Sequence, residues 1–356
     1  NQFGISLEKI SLLITVNFCI QILIDFLAPG IIKKVGYRSV GITSFLVTTL
    51  GLTGFTWLPF VLPNAYVGIL ICMAFNAIGG GILEVIVSPI VEACPSENKE
   101  SAMSLLHSFY CWGQVGVVLL STLFFQLFGT GSWRVLALIW AVLPAVNAVV
   151  FLRVPIASLE DEGRGGLALR SLLTKKIFWV LLLLMLCAGA SEQAVSQWAS
   201  TFAERGLGVS KTVGDLAGPM SFALLMGISR AFYGKYGDRI DLDKFMKYSA
   251  LLCILSYLCI ALLPIPALGL AGCAICGLSV GIMWPGTFSK ASASVRNGGT
   301  AMFALLALAG DLGCSGGPTL AGMVSSALGD NLRMGILAAI IFPILMILGI
   351  QALKKA

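Results

Sequence analysis

Four carboxylates fall deep inside long apolar stretches: Asp25, Glu84, Glu192 and Asp311. At 1.5 Å per helical residue, each lies on the order of 10–25 Å from either end of its stretch. A charged group at such a depth costs several kcal/mol unless it faces water or a partner. The obvious basic partner is Arg230, but it sits too near the end of its own stretch to serve all four. Several of these acids are therefore expected to line water or to hold a proton part of the time. Carboxyls in that setting take up and release protons, which is the chemistry of a proton relay. We read Glu84, Glu192, Asp311 and Asp25 as candidate proton-coupling residues.

Other polar groups gather around two of these acids. The segment Ser191-Glu192-Gln193-Ala194-Val195-Ser196-Gln197-Trp198 carries six hydrogen-bonding side chains in eight residues. Glu192 and Ser196 share a helix face, as do Gln193 and Gln197. So many polar groups need a polar ligand, water or neighbouring helices to satisfy them. The segment reads as a substrate wall, with Gln193, Gln197 and Trp198 as contacts. His107, the single histidine, shares a stripe with Tyr110, Cys111 and Gln114. It is a proton carrier, a hydroxyl partner or a packed ring; the sequence leaves these open. Trp284 precedes Pro285, with Gly281 one turn away, so a bend there could present the indole to a cavity. Packing is the alternative. Asp311 stands among Gly310, Gly313, Gly316 and Gly317, a sign of close helix contact, and Pro318 suggests a hinge. Asp311 and Asp25 either line a cavity or pair with neighbouring helices.

The elements that must position these residues follow from composition. Of 356 residues, 58% are hydrophobic and only 11% charged, against roughly 25% charged in a soluble domain. So few charges exclude a soluble enzyme, a disordered chain and a secreted disulfide scaffold. The net charge is +6, but the basic residues are scattered, so no nucleic-acid partner is expected. The ten cysteines lie in or at the ends of apolar runs. Cys273 and Cys276 have a C-x-x-C spacing, but no second pair or histidine accompanies them. They read as packing residues, and no metal or cofactor is expected.

A membrane crossing takes about 20 apolar residues. Eleven stretches qualify: 9–32, 39–59, 65–91, 101–127, 134–153, 177–203, 212–234, 244–264, 266–288, 299–326 and 332–352. The expected fold is an all-α membrane protein. The most polar connection, 154–176, separates five spans (1–153) from six (177–356). The chain begins at Asn1 without Met, so a six-plus-six plan would have its first helix missing from this sequence. With the turn Lys33–Arg38 placed in the cytoplasm, seventeen of the 23 basic residues fall on that side. Five fall outside: Lys9, Arg134, Arg205, Lys211 and Arg333. That asymmetry orients the chain, with a cytoplasmic C-terminus.

The two halves also repeat. The turn Pro29–Arg38 follows the first span, and Gly234-Lys235-Tyr236-Gly237-Asp238-Arg239-Ile240-Asp241 follows the seventh. Ser101-Ala102-Met103 opens the fourth span and Thr300-Ala301-Met302 the tenth, with Pro89 and Pro285 in the preceding helices. Parallel six-helix repeats are a transporter plan.

With these motifs the chain resembles the major facilitator superfamily, whose G-x-x-x-D-R/K-x-G turn occurs once in each half. The second copy matches at Gly234, Asp238 and Arg239, with Asp241 where Gly is usual. The first is degraded: Pro29 and Lys33 replace the Gly and Asp, while Lys34, Gly36 and Arg38 fit. Basic and acidic groups of such a turn can pair across the cytoplasmic ends of neighbouring helices, so Lys34, Arg38, Arg230, Asp238 and Arg239 are read as structural or gating residues. Arg230, one turn before Gly234, is expected to snorkel to the same interface. The run Gly79-Gly80-Gly81-Ile82-Leu83-Glu84-Val85-Ile86-Val87-Ser88-Pro89 is similar to the fourth helix of the fucose permease branch, with Ser88 where that branch prefers Asn. That likeness implies sugar contact and proton coupling for Glu84.

The leading expectation is a proton-coupled importer of a small neutral polar solute such as a sugar, a monomer in the cell membrane. An anion carrier would need a basic residue at the midplane. The alternatives are a proton-driven efflux antiporter and a non-transporting sensor of the same fold. Efflux carriers often have G-x-x-x-G-P on the fifth helix; here Gly113-Gln114-Val115-Gly116 lacks the Pro. An enzyme would need a nucleophile, base or metal cluster, and one histidine offers little to build it from.

Overall fold

The computed structural model describes residues 5, 7–157, 167, 169–207, 210, 213, 214, 216–329 and 331–354. Among these there is no strand. In lipid every backbone N–H and C=O must be bonded within its own segment, and the helix does that. The first half contains α1 (Leu7–Gly54), α2 (Leu58–Val61), α3 (Ala65–Ala93), α4 (Lys99–Phe128) and α5 (Trp133–Phe151). Then come α6 (Leu169–Leu173), α7 (Lys176–Ser196), α8 (Ala199–Leu207), α9 (Ser221–Tyr236) and α10 (Leu242–Leu262). The chain closes with α11 (Pro266–Val280), α12 (Met283–Ser294), α13 (Gly299–Ala327), α14 (Leu332–Ala338) and α15 (Ile341–Leu353). Of the expected connection 154–176, residues 158–166 and 168 lie outside the described residues, as does Lys211.

Among the described residues, nine helices are long and apolar enough to cross a membrane. The eleven stretches read from the sequence differ from this count in two places. Stretches 9–32 and 39–59 both fall within α1, which is interrupted at Gly36 (φ 79°, ψ 161°). That positive φ is open to glycine and strained for other residues. Stretch 212–234 is divided by a wide π turn at Leu216–Met220 containing Pro219, leaving α9 with 16 residues.

The helices gather into two compact units. The first comprises Asn1–Cys94, Leu123–Gly166 and Gly299–Leu308; the second comprises Pro95–Thr122, Leu167–Gly298 and Ala309–Ala356. Helices α4 and α13 each contribute to both.

In the first unit, α3 packs on both arms of α1. A Cβ at Gly79 would lie 2.9 Å from the Ser44 carbonyl oxygen, and Ser44 Oγ donates to the Gly79 carbonyl at 2.7 Å. A Cβ at Gly81, nearly opposite on the helix, would meet Ile24 and Gln21 at 3.2–3.4 Å. The core here is Ala28, Ile32, Tyr37, Val40, Val85, Ile86 and Ala304.

In the second unit, glycines bring α7 and α13 into backbone contact. A Cβ at Gly313 would stand 2.0 Å from the Leu186 carbonyl oxygen, and one at Gly189 would stand 2.2 Å from that of Gly310. Gly316 has open space at the same position. We therefore expect Gly313→Ala to destabilise the protein by about 1–3 kcal/mol. Gly316→Ala should leave stability unchanged or slightly raised. Thermal unfolding of the two variants in one detergent checks this; equal unfolding temperatures would refute it.

Candidate functional site

The second unit holds a buried polar cluster centred on Arg230. Gly277 and Gly281, four residues apart, let α9 approach the α11–α12 segment closely. A Cβ at Gly277 would stand 2.2 Å from the Phe222 carbonyl oxygen, and one at Gly281 would stand 2.7 Å from Ser229 Cβ. This approach carries Arg230 inward. Its Nη2 donates to Glu192 Oε2 at 3.1 Å. Its Nε donates to the Gly281 carbonyl at 2.8 Å, and its Nη1 to the His107 carbonyl at 3.0 Å, with Cys111 Sγ at 3.4 Å. Ser104 Oγ donates to the Arg230 carbonyl at 2.8 Å.

This corrects the expectation that Arg230 snorkels to the helix end beside the gating residues. It is 2% exposed, and its partner Glu192 is 7% exposed. A guanidinium has five donors in a planar fork, and here a carboxylate and two carbonyls from three other segments meet it. The carboxylate and guanidinium neutralise each other, which offsets the desolvation that either alone would suffer.

Around the cluster lie several of the expected contacts. Phe288 stacks on the His107 ring (5.6 Å, 23°) and meets Trp284 edge-on (6.2 Å, 75°). Trp284 is buried over Gly310, where a Cβ would come within 2.2 Å of the indole. Asp311, the next residue, is buried. The helical part of the expected substrate wall stops at Ser196. Gln193 is half-buried and Gln197 exposed. Trp198 Nε1 lies 3.4 Å from the Pro318 carbonyl. On α4, Gln114 is half-buried, whereas Tyr110 is 56% exposed, turned away from the face that Cys111 gives to Arg230.

The first unit holds the other acids. Gln21 Nε2 donates to Glu84 Oε2 at 2.5 Å. Asp25, four residues beyond Gln21, is buried. The sequence reading omitted Gln21, although Asn17, Gln21 and Asp25 recur at helical spacing on an otherwise apolar helix, which is a legible polar stripe.

Two expected gate residues have specific partners. Arg38 donates to the carbonyls of Phe151, Leu152 and Val154 at 2.7, 2.8 and 2.9 Å. These are carbonyls that the end of α5 leaves without a helical donor, and a cation also suits the negative pole of the helix. Asp238 accepts from Asn98 Nδ2, and Asn98 Oδ1 in turn accepts from Ser101 N at 2.9 Å at the start of α4. Lys34 and Arg239 are exposed. Asp241, which departs from the repeated turn, is the N-cap of α10: its side chain accepts from Lys244 N at 3.0 Å.

Spanning helices that enclose charged and amide side chains define a multi-pass integral membrane protein of the transporter class. The chain belongs to the Major Facilitator Superfamily, whose family model matches residues 1–318. No curated protein sequence matches it. Among solved structures it is similar to the E. coli fucose:proton symporter, with a TM-score of 0.81 and 16% identity over 98% of this chain and 92% of that one. A structure of that symporter in the outward conformation matches equally, over 100% and 92%. The proton:xylose symporter, solved with 6-bromo-6-deoxy-D-glucose, gives a TM-score of 0.83 and 12% identity over 99% and 87%. At these identities the likeness is one of fold. Family and fold are those of transporters, which are not enzymes.

Proposed function

We propose that this transporter couples inward proton movement to uptake of a small neutral polar solute, a sugar, by alternating access. The observation that carries the reading is the 2.5 Å bond from the neutral Gln21 amide to Glu84. An amide N–H is a good partner for a carboxylate and for the carbonyl oxygen of a protonated acid alike. Glu84 can therefore change protonation without leaving that donor stranded. Glu192 differs: its partner is a guanidinium, and protonation would leave a buried cation. We accordingly place the coupled proton on Glu84, with Asp25 and Asp311 as further proton-coupling acids.

Sugar hydroxyls bond to amides and carboxylates, and pyranose faces stack on aromatic rings. Gln193, Gln197, Gln114, Tyr110, Trp198, Trp284 and His107 supply these groups. The transported species of both sugar:proton symporters of this fold supports the same class. In this reading α1 makes two crossings hinged at Gly36, for eleven in all. Bundles 1–153 and 177–356 are joined by a cytoplasmic 154–176 linker in the plasma membrane, with a cytoplasmic C-terminus and a monomeric protein. Lys34, Arg38, Asp238 and Arg239 form the gate.

The test is proton movement in proteoliposomes containing a pH-sensitive dye, challenged with fucose, xylose and glucose in turn. At least one sugar should carry protons inward with it. Proton movement with none of the three, alongside proton-driven expulsion of an amphipathic cation, would replace this reading with efflux.

A further inference from the structure

The helical stretch that carries Trp284 is interrupted between α11 and α12, at Gly281 and Ile282. Ile282 is bonded normally: Gly286 N donates to its carbonyl at 2.8 Å. The carbonyl of Gly281 would pair with the nitrogen of residue 285, but that residue is proline and has no N–H. An unbonded carbonyl at a buried position costs free energy comparable to a lost hydrogen bond. Here the donor comes from another helix. Arg230 Nε lies 2.8 Å from the Gly281 oxygen. The same guanidinium reaches Glu192 on α7 and the His107 carbonyl on α4. Arg230 therefore joins the interrupted helix to two others through a single rigid plane.

We propose that Arg230 is a positioning residue: it supplies the hydrogen bond that Pro285 withholds from Gly281, and so fixes the backbone turn that places Trp284 over Gly310. Glu192 holds the guanidinium in register for that bond. The geometry on the Trp284 side is close. The indole leaves no room for a Cβ at Gly310, and its neighbour Phe288 carries the His107 ring. A change in the backbone at Gly281 therefore alters the packing of Trp284 against Gly310 and Phe288. The proposal rests on the reading of Trp284 as a solute-path residue. Its test needs no solute and no proton gradient, so its outcome is independent of the uptake assay.

The experiment uses full-length protein in detergent, labelled with 5-fluorotryptophan, with the Trp284 fluorine resonance assigned by its loss in Trp284→Phe. Arg230→Lys keeps the charge for Glu192, but one ammonium cannot also reproduce the fork that bonds Gly281 and His107. The Trp284 resonance should shift or split, while most of the other six tryptophan signals stay in place. Pro285→Ala restores an N–H at position 285 and with it the ordinary helical bond to the Gly281 carbonyl. In the Arg230→Lys, Pro285→Ala protein the resonance should return to its original position as a single line. Pro285→Ala alone should leave it unmoved, because Arg230 still holds the carbonyl.

Three results would overturn the proposal. One is a Trp284 resonance unchanged by Arg230→Lys. Another is a Pro285→Ala single variant that reproduces the Arg230→Lys shift. The third is failure of both Arg230→Lys proteins to fold, which would make Arg230 a stability residue and not one specific to the Gly281 carbonyl. Folding of the double variant where Arg230→Lys alone does not fold supports it.

Discussion

Glu84→Gln abolishes pH-driven accumulation and leaves solute exchange in place: that is the expected result of removing the titrating proton while keeping the partner of Gln21. Glutamine retains a carbonyl oxygen where Glu84 Oε2 accepts from Gln21 Nε2, so the helix pairing of α1 and α3 survives. The coupling does not. One proton moving down a gradient of one pH unit can drive about tenfold accumulation, since 1.4 kcal/mol corresponds to a factor of ten. The variant should equilibrate its solute without concentrating it, while counterflow continues at matched expression. Glu92→Gln, at the end of α3, should keep most of the accumulation. Undiminished accumulation by Glu84→Gln would make Glu84 a packing residue and move the proton to Asp25 or Asp311.

The second large effect concerns the buried pair. Arg230→Met leaves Glu192 without its cation, takes the side-chain donor from the Gly281 carbonyl and removes an additional donor from the His107 carbonyl. Breaking a buried pair by removing one partner typically costs about 3–5 kcal/mol. Unfolding of the purified protein in detergent should show a loss of that size. Glu192→Gln should cost less, because its side-chain oxygen still accepts from the guanidinium. Adding Glu192→Met to Arg230→Met should recover part of the loss by removing the stranded carboxylate. Full recovery is not expected, since the Gly281 carbonyl remains without a donor. Stability of Arg230→Met equal to that of the parent would contradict the buried, multiply bonded position described for this residue.

Most of the spans were legible in the sequence because lipid judges each helix locally. A run of apolar residues must bond its own backbone whatever its neighbours are. The positions of Asp25, Glu84, Glu192 and Asp311 within those runs were readable for the same reason, as were the turns at Gly36 and Asp238 and the repeat that points to the superfamily. Periodicity also contained Gln21, on one stripe with Asp25, although the apolar average of the segment conceals it.

Partners were not legible, because a partner is a property of two segments. Glu192 and Arg230 stand 38 residues apart and Gln21 and Glu84 63 apart; nothing local links either pair. Arg230 shows the difference most clearly. Its place near the end of its helix suggested a side chain reaching out to water. Two glycines on a different helix, Gly277 and Gly281, bring a backbone close enough to turn it inward. The cost of a carbonyl that Pro285 cannot bond then favours keeping it there. The sequence by itself determined that this chain crosses a membrane many times and carries acids inside it. Only the packing of helices, through close approach and the need of every buried polar atom for a partner, decided which acid meets an amide and which meets a guanidinium.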